Sequence, residues 1–121
     1  MIGVSWDVNL HPAVEQWFLA LPDDEADCVS DAIDALVELG PGLGRPLVDR
    51  INASRYHHMK ELRPITAHGR VRILFCFDPD REAILLVAGD KTGQWRTWYD
   101  RMIPVADDRY EEYLETKENP T

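Results

Sequence analysis

Residues 83–88 read Ala-Ile-Leu-Leu-Val-Ala, apolar on both faces, as a central strand of a sheet must be. A turn signal, Asp78-Pro79-Asp80-Arg81, precedes this run and joins it to a second strong strand, Arg70–Phe77. In that second strand Val71, Ile73, Phe75 and Phe77 share one face, and Arg70, Arg72, Leu74 and Cys76 share the other. Met59–Pro64 reads as a further strand, with Ile65–Gly69 as its turn. Three antiparallel strands are therefore expected in the second half of the chain.

Helical periodicity brackets them. Met1–Val8 alternates through Val4, Trp6 and Val8 and predicts a first strand. Asn9 or His11 then caps a helix, with Pro12 in its first turn and Leu10, Val14, Trp17, Phe18 and Leu21 at helical spacing. Pro22 breaks it. Asp23, Asp24 and Glu25 open a second helix, where carboxylates suit the N-terminal dipole. Ala26, Val29, Ile33, Leu36 and Val37 form its buried stripe. Asp24, Asp27, Asp31, Asp34 and Glu38 form a solvated face, and Gly40-Pro41-Gly42 ends it. Residues 44–58 read as an irregular connection. Gln94–Met102 and Ala106–Lys117 read as two helices separated by Ile103-Pro104, with a frayed tail over Glu118–Thr121. The expectation is one α+β domain over residues 1–121: an N-terminal strand and helical hairpin packed on an antiparallel sheet, with a helical C-terminus. Two helices cover one sheet face and leave the other partly open, which is where a site is expected.

Bulk properties narrow the class. Hydrophobic residues make up 45% of the chain, enough for a core, yet no apolar run reaches the ~18 residues of a membrane span. The first ten residues contain no Lys or Arg and do not resemble a signal peptide, so a cytoplasmic protein without membrane contact is expected. Cys28 and Cys76 sit in apolar patterns and read as reduced core thiols. The net charge of −9 argues against a simple nucleic-acid binder. Its distribution is uneven. Residues 1–43 hold nine acids and no Lys or Arg, whereas residues 44–101 hold eleven basic and seven acidic residues. An anion site belongs in that middle segment.

Antiparallel pairing of the second and third strands brings Glu61, Arg63, Arg70 and Arg72 toward one surface. Lys91 follows the next strand and reaches the same surface from its end, while His57 and His58 lie just before the first. RNA cleavage needs such a set: a base for the 2′-hydroxyl, cations for the phosphorane, and an acid for the leaving 5′-oxygen. Arginine suits the phosphate because its planar fork matches two oxygens. The same residues read equally as ordinary cross-strand ion pairs on an exposed sheet face. Adjacent His57 and His58 with His68 lack usual zinc spacing, so no metal is expected. Trp95, Trp98 and Tyr99, at i, i+3 and i+4, read either as a packing stripe or as a base-stacking surface.

Three segments together carry a family resemblance. Met59-Lys60-Glu61-Leu62-Arg63-Pro64, Gly69-Arg70-Val71-Arg72-Ile73-Leu74-Phe75-Cys76-Phe77-Asp78-Pro79, and Ala88-Gly89-Asp90-Lys91-Thr92-Gly93-Gln94-Trp95 with Trp98-Tyr99 resemble the phage-derived, host-killing HigB branch of the RelE/ParE toxin superfamily. Ile103-Pro104, Ala106-Asp107 and Tyr110 continue the pattern. The resemblance implies a RelE-like fold and a ribosome-dependent, metal-free and cofactor-free messenger RNA endonuclease. It also implies a cognate helix-turn-helix antitoxin, in a toxin–antitoxin hetero-oligomer. By position it implies Glu61, Arg72, Lys91 and Tyr99 as catalytic residues, with Lys60 and Arg63 beside Glu61; Arg70, His57 and His58 are expected from their placement to bind substrate. Glu61 stands where RelE places a lysine, and the chain is acidic where such toxins are basic. Two rivals are a ParE-like gyrase inhibitor without cleavage and an inactive, antitoxin-binding corepressor.

Overall fold

The computed structural model describes residues 5–91, 93 and 95–118. Five strands, β1 (Asp7–Leu10), β2 (Val48–Arg50), β3 (Met59–Leu62), β4 (Val71–Phe77) and β5 (Glu82–Asp90), form one sheet in the order β1-β5-β4-β3-β2. Helices α1 (Pro12–Leu19), α2 (Asp23–Leu39) and α3 (Trp95–Glu118) complete the α+β architecture. β1 runs parallel to β5, and every other pairing is antiparallel.

β4 and β5 occupy the middle because their residues are apolar on both faces. Val71, Ile73, Phe75 and Leu85 face the hairpin of α1 and α2, where they bury Val14, Val29 and Leu36. Leu74, Cys76, Ile84 and Leu86 face the other way, onto Trp98, Ile103 and Tyr110 of α3. The β4–β5 register skips one residue between Leu74 and Phe75, so Leu86 is the extra residue of a bulge. Arg109 of α3 donates to the Leu86 carbonyl at 2.7 Å and satisfies it.

The helical hairpin follows the sequence signals closely. His11 is the N-cap of α1, its Nδ1 accepting from the Ala13 amide at 3.0 Å, with Pro12 at the first helical position. Pro22 separates the two helices, and Gly40 ends α2 at φ +53°. That position requires glycine twice over. Its φ is left-handed, and a β-carbon there would lie 2.3 Å from the Trp6 indole, which the chain draws in by donating the Trp6 amide to the Val37 carbonyl at 2.8 Å.

Four expectations change. The first strand lies at Asp7–Leu10 rather than Met1–Val8; residues 1–4, including Val4, lie outside the described residues, as do Thr92, Gln94 and residues 119–121. Residues 44–58 are not wholly irregular, because Val48–Arg50 pairs with β3 as the sheet edge. Three residues carry too little alternation to be seen without that partner. Ile103-Pro104 does not separate two helices: α3 runs through Pro104. A proline removes one amide and crowds one carbonyl, but Pro104 is exposed while its neighbours Ile103 and Ala106 are buried against the sheet. Packing outweighs the lost hydrogen bond, and the freed backbone faces solvent. Finally, the second sheet face is not open, since α3 covers it.

The far end of α3 is clamped to the β4–β5 turn. Lys117 bonds Asp78 at 2.5 Å, Asp80 at 3.0 Å and also Glu82, while the Tyr113 hydroxyl donates to Asp78 at 2.7 Å. Burial alone would raise the Asp78 pKa. The Lys117 and Tyr113 donors and the Asp80 and Glu82 amides outweigh it and hold the carboxyl below its usual range.

Gly40→Ala should destabilise the protein by about 2–4 kcal/mol, combining left-handed strain with overpacking against Trp6. Urea melts of the variant should show a lower midpoint at unchanged slope. An unaltered midpoint would mean that Trp6 does not sit on Gly40.

Candidate functional site

The pleat of β3 sends Met59 and Glu61 toward α3, and Lys60 and Leu62 toward the α1–α2 side. Glu61 therefore enters a largely apolar layer, where an isolated carboxylate would be strongly disfavoured. It is 6% exposed, and three groups compensate it. The Tyr99 hydroxyl donates to its Oε2 at 2.5 Å. Arg63 Nε lies 3.7 Å and Arg72 Nε 3.9 Å from its Oε1.

Arg72 is 4% exposed and is held from behind, its Nη1 donating to the carbonyls of Gly69 at 3.0 Å and Val71 at 2.8 Å. Its Nε is buried without a hydrogen bond and faces Glu61. In this conformation Arg72 backs the carboxylate instead of presenting its guanidinium to a ligand, which revises the idea that it grips a phosphate directly. The outward cations are Arg63, which also approaches Asp49 at 3.7 Å, and Lys91. The Lys91 amide donates to the Arg70 carbonyl at 3.0 Å, closing the β4–β5 ladder, and its ammonium lies 5.7 Å over the Trp95 ring and 5.9 Å over Tyr99. Burial, the positive charge of Arg72 and that of Arg63 lower the Lys91 pKa, against the opposing pull of Glu61.

The aromatic triplet divides its labour. Trp98 is 7% exposed and lies on β5 at Gly89, where a β-carbon would come within 2.9 Å of its indole nitrogen. Gly89 pairs with Arg72, so this close approach fixes the start of α3 beside the site. Tyr99, the next residue, consequently faces Glu61. Burial first, and then the donated bond to Glu61, push the Tyr99 pKa up to about 12, which keeps the phenol a neutral donor. Trp95 is 51% exposed at the rim. Glu61 and Tyr99 line an open groove of about 480 Å³, together with Arg50, Asn52, Trp95 and Arg96.

Of the nine residues picked out from the sequence, Glu61, Arg63, Arg72, Lys91 and Tyr99 converge. Arg70 is exposed beyond the end of β4 and makes no contact with Glu61 among the described residues. Lys60, His57 and His58 line a different cleft. His68 is farther away, 2.8 Å from Glu25 of α2. Asp49, which engages Arg63, was hidden in the segment read as irregular. Gly89 and Trp98 were visible only as a loop residue and a helix stripe.

The family model described as "Phage derived protein Gp49-like" matches residues 16–111. A Mycobacterium tuberculosis protein bearing the name toxin HigB3 is 56% identical over 107 residues, covering 88% of this chain and 92% of the relative. A second protein of that organism, named toxin HigB2, is 46% identical over 114 residues, and this chain spans 56% of its length. Among solved structures, an Escherichia coli toxin RelE in the free state, carrying two arginine-to-alanine substitutions, superposes with a TM-score of 0.59 at 6% identity, over 89% of this chain and 97% of that one. A chain of the archaeal RelE–RelB complex from Pyrococcus horikoshii gives a TM-score of 0.56 at 17% identity, over 73% of this chain and 97% of that one. At those identities the likeness is one of fold.

Tyr99→Phe removes a donor to a buried carboxylate and should cost about 1.5–3 kcal/mol of stability at neutral pH. The sign of the pH dependence is also set. A pKa raised from 10.0 to about 12 stabilises the folded state below pH 10, and the contribution is lost as pH rises toward 12. Denaturant midpoints of the parent should therefore fall more steeply than those of Tyr99→Phe across that interval; equal slopes would place the phenol outside the Glu61 bond.

Proposed function

Since the chain belongs to the phage-derived Gp49-like family, as a HigB-type toxin of the RelE superfamily, we propose that it is a metal-independent endoribonuclease that cuts messenger RNA on the ribosome. Its partner is a cognate antitoxin, which we take to be a helix-turn-helix protein that silences it in a hetero-oligomer. The observation that carries the nuclease reading is the Glu61 carboxylate, buried yet lining the groove, with one oxygen hydrogen-bonded by Tyr99 and the other ion-paired with Arg63 and Arg72 but hydrogen-bonded by no described residue.

The roles follow from reach and charge. Glu61 Oε1 accepts the proton of the attacking 2′-hydroxyl, with Arg63 and Arg72 in ion-pair distance of that oxygen. The 2′-oxygen bonds phosphorus as the bond to the 5′-oxygen breaks, giving a 2′,3′-cyclic phosphate. Arg63 and Lys91 neutralise the phosphorane. Lys91, whose pKa is lowered, gives its proton to the departing 5′-oxygen. Tyr99 orients Glu61 and, with exposed Trp95, offers a ring to a base. Arg72 is a positioning residue. Replacing it by alanine leaves a buried carboxylate short of its counter-charge, at a cost of about 3–5 kcal/mol, which confounds folding with catalysis.

Glu61→Gln keeps the shape and an acceptor for Tyr99 but withdraws the base. Primer extension on translated messages after induction should show cleavage reduced at least about 100-fold, with antitoxin binding retained. Full cleavage by this variant rejects Glu61 as the base. Induction of the SOS response without message cuts identifies a gyrase inhibitor instead, and neither response identifies a binding-only corepressor.

A further inference from the structure

Lys60, His57 and His58 stand apart from Glu61, yet they are not scattered. β2 pairs Arg50 with Lys60, and the connection that follows β2 brings His57 and His58 alongside them. Together with Asn52 and Ser54 they line a predominantly polar cleft of about 430 Å³. Arg50 and Asn52 also line the groove that holds Glu61 and Tyr99, so the two cavities meet at the end of β2.

The charge balance in this corner is lopsided. Asp49, Asp107, Asp108 and Glu111 beside it each have a cation or a donor, while Asp100 lies on the adjoining groove. Asp49 accepts from Arg45 at 3.3 Å and from the Arg50 amide at 2.8 Å, and it approaches Arg63. Asp108 and Glu111 are engaged by Arg55 at 3.2 and 3.1 Å. Asp107, 3% exposed, accepts from the Ser54 hydroxyl and from the Arg55 amide at 3.0 Å. By contrast, the side chains of Arg50, Lys60, His57 and His58 make no ion pair or hydrogen bond among the described residues. In a chain of net charge −9, four basic side chains are thus left without partners around one cleft.

The cleft is also held in shape. The buried Asp107 bolts Ser54 and Arg55 to α3, and the Tyr56 ring meets Tyr110 edge-on at 4.8 Å. Its wall is therefore fixed by two buried contacts before any ligand arrives, as a preorganised anion site requires.

We propose that this cleft is a second phosphate subsite. It holds the backbone phosphate of a nucleotide flanking the one that is cut, so that single-stranded RNA leaves the Glu61 groove and rounds the end of β2 past Arg50 and Asn52. The proposal rests on the nuclease reading above and adds a path for the substrate. Phosphate, rather than a carboxylate ligand, is favoured by the continuity with the groove. Arg50 and Lys60 contact the phosphate, and Asn52 is placed at the junction to meet the base.

The test is a salt titration. A 2′-O-methylated RNA hexanucleotide resists attack and reports binding alone, so its affinity for the full chain is measured by fluorescence anisotropy across ionic strength. Each phosphate contact to a single strand contributes about −0.7 to the slope of log affinity against log salt. Arg50→Ala and Lys60→Ala should each flatten the slope by about that amount, while Arg101→Ala on the exposed side of α3 should leave it unchanged. Thermal melts of each variant establish that it is folded. If the parent binds the hexanucleotide and cuts messages but neither variant alters the slope, the subsite is overturned and the nuclease reading stands. Equal flattening by Arg101→Ala also overturns it, since that is bulk charge. A parent that neither binds nor cuts overturns both.

Discussion

Two adjacent strands that are apolar on both sides impose one demand on everything else: each face must be kept from water. The α1–α2 hairpin supplies one cover through Val14, Val29 and Leu36. The second must come from the remaining chain, and α3 provides it by laying Trp98, Ile103 and Tyr110 on Leu74, Cys76 and Leu86. This requirement explains why a helix runs unbroken past Pro104 and why Arg109 reaches a bulge carbonyl. It also explains why a clamp of Lys117 and Tyr113 secures the distal end on Asp78. Apolar burial at roughly 25 cal/mol per Å² easily exceeds one missing helical hydrogen bond.

Covering that face has a chemical consequence. The layer between α3 and the sheet is apolar, yet Glu61 and Arg72 alternate into it from β3 and β4. Burying either charge there alone would be costly. Paired, and joined by the Tyr99 phenol, they form a polar island at the edge of the layer where the groove begins. The same burial that threatens Glu61 fixes its orientation, because each neighbour that compensates its charge also restrains it. Lys91 gains its lowered pKa from the same surroundings, the desolvation of its ammonium and the nearby Arg72 and Arg63 charges. Packing and electrostatics at this site are therefore one arrangement viewed twice.

The acidity of the chain fits this picture. The acids lie mainly on α2 and along α3, with Asp100 lining the groove beside Glu61 and Asp49 paired with Arg63. Screening at physiological ionic strength limits their reach to about 8 Å, so a local positive patch survives on a negative molecule.

Much of this was legible in the residues alone. Period-2 alternation determined β3 and β4, unbroken apolarity determined β5, and prolines with a capping histidine and a terminal glycine determined the helical hairpin. These signals are local, set by spacing along one segment. Strand alternation also placed Glu61 and Arg72 on a common face. What the sequence could not decide depended on contacts between distant segments. β2 exists because β3 offers it hydrogen bonds. α3 is continuous because the sheet holds Ile103 and Ala106. Arg72 is a buried support instead of an exposed claw because α3 closes over it. The meeting of Tyr99 with Glu61, 38 residues apart, is likewise a tertiary outcome, since the seating of Trp98 on Gly89 fixes the part of the helix that carries it.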